Sequence, residues 1–259
     1  MTQAHTIIAQ ACLGVLLHID ENITKDDLQE FPLAEYAAEH LGGHARFEGV
    51  SPKIQDGLKR LFDPSNHHFS VWDWIYQPEQ RGAIHDRFEG PSRTLATPLH
   101  IAAFYGLHDI VKFLIVERSQ NVNVQGFNRS EAPLSVACRQ GYPEVTRLLL
   151  EHGADTETRD EVGNSPLHWS SIGGHVAMAR VLLENSADAN AKKRDGRTPL
   201  HFADNEGVTR VLLEYGADPT ARDSRNQTPL HCAPEENYAE VARVLLENGV
   251  DANARGYMG

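Results

Sequence analysis

Thr198-Pro199-Leu200-His201 is one of five copies of a tetrapeptide that decide the fold of this chain. Each copy begins with a small residue followed by Pro and Leu, and the copies lie at 97–100, 132–135, 165–168, 198–201 and 228–231. Their prolines, at positions 98, 133, 166, 199 and 229, are 35, 33, 33 and 30 residues apart. A period of about 33 residues indicates a helix–turn–helix unit that stacks on copies of itself.

A second motif keeps the same period downstream of the first. It reads Leu-Leu-Glu, then two variable residues, a small apolar residue and Asp, and its copies lie at 149–155, 182–188, 212–218 and 245–251. Because the two motifs stay in phase, each repeat is predicted to hold two helices. The first helix begins at the tetrapeptide, and the second ends near the Leu-Leu-Glu segment.

The tetrapeptide has the composition of a helix start. A Thr or Ser hydroxyl can accept hydrogen bonds from the free N–H groups of the first turn, and Pro fits that turn without strain. The recurrent His suggests a catalytic role at first sight, but Ser135 takes its place in the second copy. We therefore predict that imidazoles such as His168 and His201 form hydrogen bonds within their own repeat and to the next one.

Gly and Asn residues predict the connections between the helices. Gly153 follows a second helix, where a left-handed residue commonly ends a helix. Ser186 stands at the equivalent position of repeat three, so we predict that the preceding helix frays there. Residues that tolerate positive φ also precede the next tetrapeptide, namely Gly163, Gly196 and Asn226. They predict hairpin turns, or fingers, between successive repeats.

These motifs resemble those of the ankyrin-repeat family over residues 97–259. The resemblance implies an all-α solenoid in a domain over 91–259, with repeats at 97–131, 132–164, 165–197, 198–227 and 228–259. It also implies a protein–protein interaction scaffold or ligand-sensing module, because proteins of this family bind other proteins through the concave face of the stack and the finger tips.

Three departures from the pattern carry structural predictions. Repeat one has extra residues near 118–120 and 129–131, and repeat four lacks three residues between Leu200 and Leu212. We predict a shortened first helix and a local kink in repeat four. Repeat five stops at Gly259 inside its finger, and a solenoid needs a polar terminal cap. We expect either a solvent-tolerant last helix or a shortened piece of a longer array.

The first ninety residues lack the period and form a predicted helical domain over 1–90. They hold seven basic and fourteen acidic residues, a more acidic balance than in the rest of the chain. Apolar spacing predicts helices near 3–18, 25–30, 33–47, 52–62 and 67–77. In the last of these, Val71, Trp72 and Ile75 share a face, which predicts that this face docks against a neighbouring element.

Four stretches of this domain resemble a known linker. They are ACLGVLL at 11–17, FPLAEYAAEH at 31–40, HARFE at 44–48 and LFDP at 61–64. They are similar to the helical segment between the NTPase module and the ankyrin array of fungal NACHT–ankyrin proteins, which resemble animal and plant innate-immune receptors. In that family the NTPase is a nucleotide switch and the repeats sense a ligand. The GxxxxGK[ST] loop of such a switch is absent from this sequence, so the resemblance covers the linker and sensor parts.

Composition narrows the class of partner. The 24 Lys and Arg residues against 36 Asp and Glu give a net charge of −12, which repels nucleic acid and anionic membranes at long range. Cys12, Cys138 and Cys232 lack metal-ligand spacing and are expected to be buried thiols. No apolar stretch reaches the roughly 20 residues of a membrane-spanning helix. We predict a cytoplasmic protein that binds a protein partner and needs no nucleic acid, membrane, cofactor or metal.

The predicted binding surface follows from ankyrin geometry. The concave face would be built by the two residues after the small pair in each first helix, and the finger tips would extend it. The predicted partner-binding residues are Phe104, Tyr105, Arg139, Gln140, Ile172, Asn205, Glu206, Glu235, Glu236, Lys193, Arg194 and Arg225. Because aromatic residues often dominate binding energy, we predict that Phe104 and Tyr105 anchor the partner beside the N-terminal domain.

Two other functions compete with partner binding. A small-molecule enzyme would need an acid/base pair in the groove, from residues such as Asp204 and Glu235, or a cleft beside Trp72 or Trp74. The sequence offers no GxSxG, HExxH or dinucleotide-binding glycine pattern, so we predict no catalytic residues. An autoinhibitory or dimerising fragment of a larger receptor-like protein would instead self-associate through the uncapped last repeat.

Overall fold

The computed structural model describes residues 2–19, 23, 30–45, 52–76, 96–126, 131–233, 238–254 and 256. Every regular element within these ranges is helical, which confirms the predicted all-α class. The chain divides into two compact units, Met1–Asn121 and Val122–Gly259. The first unit contains the N-terminal helices and both helices of repeat one, and the second contains the last residues of repeat one and the other four repeats. The domain boundary at residue 90 follows from the repeat period, whereas the two units are separated by their internal contacts. This boundary stays a prediction.

Four α-helices begin the first unit. They are α1 (Thr2–Leu16), α2 (Ala34–Ala45), α3 (Pro52–Phe62) and α4 (His68–Tyr76). Each agrees within two residues at both ends with a helix that the apolar spacing predicts. The remaining prediction, near 25–30, lies outside the described residues apart from Glu30. Periodicity alone therefore located the helices that the structure describes in this region.

Trp72 is the largest side chain of the N-terminal core. It is 1% exposed, and its indole Nε1 donates a hydrogen bond to the Ala38 carbonyl at 3.1 Å. The rings of Phe62 and Phe69 lie 5.8 and 5.6 Å from the indole, in the tilted arrangement that aromatic pairs prefer. Val71 and Ile75 are buried as well. The predicted docking of the α4 face is confirmed, because α4 packs on α2 through this tryptophan.

Repeat one contains a turn of π-helix. Its first helix is α5 (Pro98–Tyr105), and its second is α6 (His108–Lys112), which continues as a π-helical turn over Phe113–Glu117. The backbone N–H of Arg118 bonds to the Phe113 carbonyl five residues earlier, at 3.2 Å. A π-turn is the usual way for a helix to take in an extra residue. The extra length predicted near 118–120 is therefore absorbed at the end of the second helix. The extra length predicted near 129–131 lies outside the described residues apart from Glu131.

The π-turn delivers Arg118 to a carboxylate of the N-terminal helices. Arg118 donates from Nε and Nη2 to the two oxygens of Asp63, at 3.0 and 2.6 Å. This pair, helped by hydrogen bonds from Ser65, holds the pKa of Asp63 at about 2. The guanidinium also lies 4.9 Å from the centre of the Phe113 ring. A fork-to-fork ion pair stacked on an aromatic ring therefore ties repeat one to α3 within the first unit.

The second unit holds four repeats with a common plan. Their helices are α7 (Pro133–Gln140) and α8 (Pro143–Glu151), α9 (Pro166–Ile172) and α10 (Val176–Glu184), a 3-10 turn (Pro199–Phe202) and α11 (Glu206–Glu214), and α12 (Pro229–Cys232) and α13 (Tyr238–Glu247). Each second helix ends at the Glu of the Leu-Leu-Glu segment. The first Leu of that segment is fully buried in all four repeats, at Leu149, Leu182, Leu212 and Leu245. These leucines form the continuous core that holds the stack together.

The tetrapeptide histidines serve the architecture, as predicted. At Ser165 the backbone N–H and the hydroxyl both contact His168 Nδ1, at 3.2 and 2.8 Å, which closes a capping box at the start of α9. The other ring nitrogen, Nε2, lies 3.2 Å from the Arg197 carbonyl of the next finger. Burial lowers the pKa of His168 to about 4, so the ring is neutral near pH 7. One imidazole thus caps its own helix and fastens the following repeat.

The residues after the second helices have the predicted left-handed conformation, with φ of 83° at Gly153 and 66° at Ser186. The predicted fraying before Ser186 is wrong, because α10 reaches Glu184, which is equivalent to Glu151 at the end of α8. The N–H groups of Ser186 and Ala187 bond to the Leu183 and Leu182 carbonyls, at 3.0 Å each, so the helix end closes although a serine takes the left-handed position. The fingers also turn as predicted, with positive φ at Gly163, Gly196 and Asn226.

Repeat four has the shortened first helix that its missing residues predict. Its 3-10 turn spans four residues, against seven in α9. The chain then leaves the helical conformation at Ala203, and Asn205 caps α11 by accepting a hydrogen bond from the Val208 N–H at 2.9 Å. The shortening therefore falls entirely between Phe202 and the second helix. The local kink expected in this repeat stays a prediction.

Candidate protein-binding face

The ends of the first helices and the adjacent fingers form a surface of the second unit that we call the first-helix face. It comprises Arg139, Trp169, Ile172, Lys193, Arg197 and Phe202. Ile172 is 39% exposed, and the other five are intermediate in exposure. Arginine and tryptophan are the residue types that most often contribute to binding hot spots. The face therefore presents large side chains that are not fully buried in the core.

Arg139 is held rigidly at one end of this face. Its Nη2 donates to Glu131 at 2.9 Å, and Glu131 is itself buried. The guanidinium lies 5.4 Å from the centre of the Trp169 ring, within reach of a cation–π interaction. Two shielded donors of this cluster, Arg139 Nε and Trp169 Nε1, have no hydrogen-bond acceptor among the described residues. Glu131 and Trp169 therefore hold Arg139 in one orientation, and Glu131 neutralises part of its charge.

A cavity of about 470 Å³ opens at the other end of the face. Ile172, Phe202 and Cys232 line it, and each is the last residue of its first helix or turn. Arg197 and the two tetrapeptide histidines His201 and His231 complete most of its wall. The cavity lies in the repeat whose first helix is shortened and in the repeats on either side of it. It is open enough to accept a side chain of a partner.

The fingers place two cations over Phe202. Lys193 Nζ and the Arg197 guanidinium carbon lie 5.0 and 5.7 Å from the centre of the Phe202 ring. Arg197 is oriented by Asp223, which accepts a hydrogen bond from its Nε at 3.3 Å. Burial acts to raise the pKa of Asp223, but hydrogen bonds from the backbone of Gln227 and Arg225 and from Arg197 lower it overall. Asp223 therefore stays ionised and fixes the arginine.

The two histidines of the cavity differ in their available atoms. His201 accepts from the Thr198 N–H through Nδ1 at 3.1 Å, and its Nε2 lies 3.2 Å from the Gln227 carbonyl, so both nitrogens are engaged. His231 accepts from the Thr228 N–H through Nδ1 at 3.2 Å, which leaves the proton on Nε2. In the described part of the chain no acceptor bonds to that Nε2–H. His231 is therefore a hydrogen-bond donor on the cavity wall.

The structure places Phe104 and Tyr105 in the first unit, at the end of α5. A Cβ atom built on Gly42 of α2 would overlap the Tyr105 ring, so the ring packs directly on that glycine. Tyr105 also lies edge-on to Trp72 at 6.5 Å and to Phe104 at 5.0 Å. The tyrosine thus helps to hold repeat one on the N-terminal helices. Its role as a partner anchor stays a prediction.

The placement of Asn205 and Glu206 on a first helix is wrong. Because repeat four lacks three residues, Asn205 is the cap of α11 and Glu206 is its first residue. Glu206 accepts from Arg210 at 2.8 Å and from Arg243 at 3.0 Å on the side of the second helices. These ion pairs lower the pKa of Glu206. Glu206 therefore belongs to a charged network between α11 and α13.

The remaining predicted site residues are distributed unevenly. Arg194 and Arg225 are exposed finger residues whose side chains have no partner among the described residues, and Gln140 is half-buried at the end of α7. Glu235 and Glu236 lie outside the described residues. The sequence-based selection omitted Trp169, Arg197, Phe202 and His231. Phe202 follows its tetrapeptide directly, as Trp169 does in repeat three, and this shared position was the sequence signal for both residues.

The three cysteines are shielded from solvent to different degrees. Cys12 and Cys138 are buried, as predicted, and burial raises the pKa of Cys138 to about 12. Cys232 is only half-buried, on the cavity wall, so the prediction of a buried thiol is wrong there, although partial burial still raises its pKa. The described part of the chain contains no group of three or more His, Cys, Asp or Glu side chains suited to a metal ion. No described helix is long and apolar enough to cross a membrane.

The helical pairs, capping boxes and fingers define a class of repeat protein, and comparison with known families identifies it. The family model for ankyrin repeats matches three times, over residues 90–160, 156–223 and 188–256. The chain therefore belongs to the ankyrin-repeat family, as its motifs predict. The match to the ankyrin family begins at residue 90 and does not include the N-terminal helices. The resemblance of those helices to the linker of NACHT–ankyrin proteins stays a prediction.

Curated relatives share the repeats but differ in name. The chain is 28% identical over 164 residues to azaphilone pigments biosynthesis cluster protein L of Monascus ruber, covering 59% of this chain and 34% of that protein. It is 34% identical over 58 residues to human ankyrin repeat domain-containing protein 63, covering 22% and 15%. It is 38% identical over 84 residues to ANK repeat-containing protein nipk-1 of Caenorhabditis elegans, covering 29% and 14%. The chain thus spans 34% or less of the length of these relatives.

Proposed function

We propose that this chain is a protein-interaction scaffold or ligand-sensing module that binds a protein partner through its first-helix face and finger tips. Ankyrin repeats are general protein–protein interaction modules. The observation that carries the proposal is the cluster of partly exposed Arg, Trp, Phe and Ile side chains beside an open cavity on that face. Such residues contribute most to affinity when a partner desolvates them.

An enzyme has less support from the same surface. Ankyrin-repeat proteins are typically binding modules without catalytic activity. A general acid/base pair needs a titratable group with a free nitrogen or oxygen near a nucleophile. His168 and His201 use both ring nitrogens in capping and stacking contacts. Glu206 is neutralised by Arg210 and Arg243. Among the described residues His231 keeps Nε2 free on the cavity wall that Cys232 also lines, but burial raises the pKa of this thiol and so disfavours the nucleophilic thiolate. The geometry therefore favours recognition over catalysis.

The proposal can be tested by comparing two matched double variants in affinity capture from native extract. Trp169→Ala with Ile172→Ser removes an aromatic and an aliphatic group from the first-helix face. Tyr215→Ala with Leu246→Ser removes equivalent groups that are 36% and 44% exposed at or beyond the ends of second helices. We expect the first pair to reduce retention of the partner by about tenfold or more, as for hot-spot residues, and the second pair to leave it unchanged.

The melting temperature of each variant provides the folding control. Retained capture by the first-helix variant, with loss in the second-helix variant, would move the binding surface to the opposite side of the repeats. Light scattering across a concentration range would separate a foreign partner from self-association. A mass that rises with concentration and falls in the Leu246→Ser variant would favour the dimerising alternative.

A further inference from the structure

We propose that the cavity between repeats three and five binds a carboxylate side chain from an acidic peptide segment of the partner, with Arg197 as the binding fork. This inference rests on the proposed function and names the chemistry that the first-helix face selects. The cavity offers hydrogen-bond donors, an aromatic wall and a positive rim, and each feature supports the same class of ligand.

Arg197 has unused donors in a fixed orientation. Arginine carries five N–H donors, and the Nε–H of Arg197 bonds to Asp223. Its Nη1 and Nη2 groups bond to nothing among the described residues, and the side chain is 27% exposed. The hydrogen bond to Asp223 and the contact with the Phe202 ring fix the plane of the Arg197 guanidinium. Arg197 therefore loses little side-chain entropy when it binds a ligand. Two parallel N–H groups are the preferred partner of a carboxylate.

His231 supplies a further donor on the same wall. The Thr228 backbone N–H donates to its Nδ1, so the ring proton lies on Nε2. In repeats three and four the equivalent Nε2 bonds to a carbonyl of the next finger, at Arg197 and Gln227. In repeat five, within the described residues, this donor is left for another acceptor. A carboxylate oxygen fits that requirement.

The apolar part of the cavity indicates what surrounds the carboxylate. Phe202 and Ile172 end neighbouring repeats and both line the cavity. Phe202 is half-buried beneath Lys193 and Arg197, so one ring face supports the cations. A bound acidic side chain can lay its methylene groups, or an adjacent apolar residue, against Ile172. A peptide therefore matches this wall better than a bare inorganic anion does.

The charge around the cavity favours an acidic ligand although the whole chain is acidic. Lys192, Arg194 and Arg225 are exposed finger residues with no charged partner in the described part of the chain. They add to Lys193 and Arg197, whose carboxylates Asp195 and Asp223 neutralise them in part. The overall charge of −12 repels a nucleic acid at long range, whereas a short acidic peptide experiences chiefly the local field.

Asp204 gives the proposal a gain-of-affinity test. It is the acidic side chain among the described residues that line the cavity, so it should repel a bound carboxylate. Asp204→Asn should therefore tighten an acidic peptide by several-fold while weakening a basic one. A variant that merely misfolds cannot produce such an increase.

The experiment selects short random peptides displayed on phage against the full chain, then measures peptide affinities by fluorescence polarisation. We expect Asp and Glu to be enriched in the selected peptides, with binding that weakens as salt is added. Arg197→Gln should raise Kd about tenfold or more, and Arg197→Lys should give an intermediate loss because it keeps the charge and loses the fork. Arg180→Gln, which removes an exposed arginine that pairs with Glu214, should change Kd by less than about twofold.

Melting temperatures identify any variant that fails to fold, and His231→Ala then provides a second loss-of-donor test. Selected peptides that are neutral or basic, or that bind Arg197→Gln and Asp204→Asn as they bind the parent, would overturn this inference and leave the proposed function standing. Binding of a labelled single-stranded oligonucleotide that depends on Arg197 while acidic peptides fail to bind would also overturn it. Absence of any binder to the first-helix face would count against both proposals.

Discussion

Repeats one and four depart from the same pattern in opposite directions, and the structure resolves the two departures differently. Repeat one is longer than the pattern, and its second helix absorbs the extra length near residues 118–120 as a π-turn that directs Arg118 onto Asp63. Repeat four lacks three residues, which shortens its first helix and leaves Phe202 at the edge of a cavity. An insertion can become a new internal ion pair, whereas a deletion exposes what the missing residues would have covered. The first change serves stability, and we infer that the second serves binding.

Restoring the missing residues of repeat four should have the largest effect. Inserting Ala-Ala-Gly after Ala203 should extend the first helix to the length found in α9 and fill the cavity, because the extra turn would occupy the space beyond Phe202. We expect acidic-peptide affinity to fall by more than about tenfold, the usual loss when a hot-spot pocket closes. Circular dichroism should show unchanged or slightly greater helicity. Full peptide affinity in a folded insertion variant would contradict the assignment of the cavity to binding.

Breaking the Arg118–Asp63 ion pair of repeat one should have the next largest effect. Asp63→Asn removes a carboxylate whose pKa is held at about 2, below its ordinary value of 3.8. At neutral pH this should cost about 2 kcal/mol of unfolding free energy, since one pKa unit corresponds to about 1.4 kcal/mol. Because the folded pKa is depressed, the stabilisation is present above pH 4 and is lost as the pH falls from about 4 towards 2.

Urea unfolding of the parent and of Asp63→Asn at pH 7 and at pH 2.5 would measure this difference. The gap between the two proteins should narrow at the lower pH. A gap of the same size at both values would show that Asp63 stabilises the first unit through neutral hydrogen bonds rather than through its charge.

A smaller effect is expected where Tyr105 packs on α2. Gly42→Ala would place a Cβ atom against the ring, and Gly14→Ala, in α1, would meet nothing within 4 Å. The first change should cost about 1–3 kcal/mol through overpacking. The second should be neutral or stabilise by up to about 1 kcal/mol, since Ala favours helix over Gly. Equal thermal shifts for the two variants would mean that Tyr105 yields freely, and would strengthen its prediction as a partner anchor.

The smallest effect is expected at the residue that follows the second helix, which is Gly153 in repeat two and Ser186 in repeat three. Ser186 has a φ of 66°, where Gly153 of the preceding repeat has 83°. Ser186→Gly should raise stability by about 0.5–1 kcal/mol, because the relief of left-handed strain exceeds the added freedom of the unfolded chain. Gly153→Ser, which has open space around the new side chain, should lower stability by a similar amount. Differential scanning calorimetry of both variants would detect a difference of opposite sign, and shifts of the same sign would refute it.

Local chemistry explains why so much of the fold could be read from the chain. Ser165 and Pro166 start a helix, and Gly163 turns a finger, for reasons confined to a few neighbouring residues. Because the motif recurs, each local inference applies to every repeat of the stack. The prediction failed at Ser186 because the hydrogen bonds that end this helix form with serine at the left-handed position as well. The site was harder to predict, because which residues face a groove depends on where each helix stops.

The amino-acid sequence by itself determined the family, the helical pairs, the capping roles of the histidines and the shortened first helix of repeat four, since all of these depend on short-range spacing. Only the tertiary structure decided that Tyr105 packs on Gly42, that Arg118 reaches Asp63, and that Arg197, Phe202 and His231 meet at one cavity. The ion pairs that shape these places, such as Arg197 with Asp223, join residues 26 or more positions apart. Their distances depend on how successive repeats stack, which no local propensity specifies.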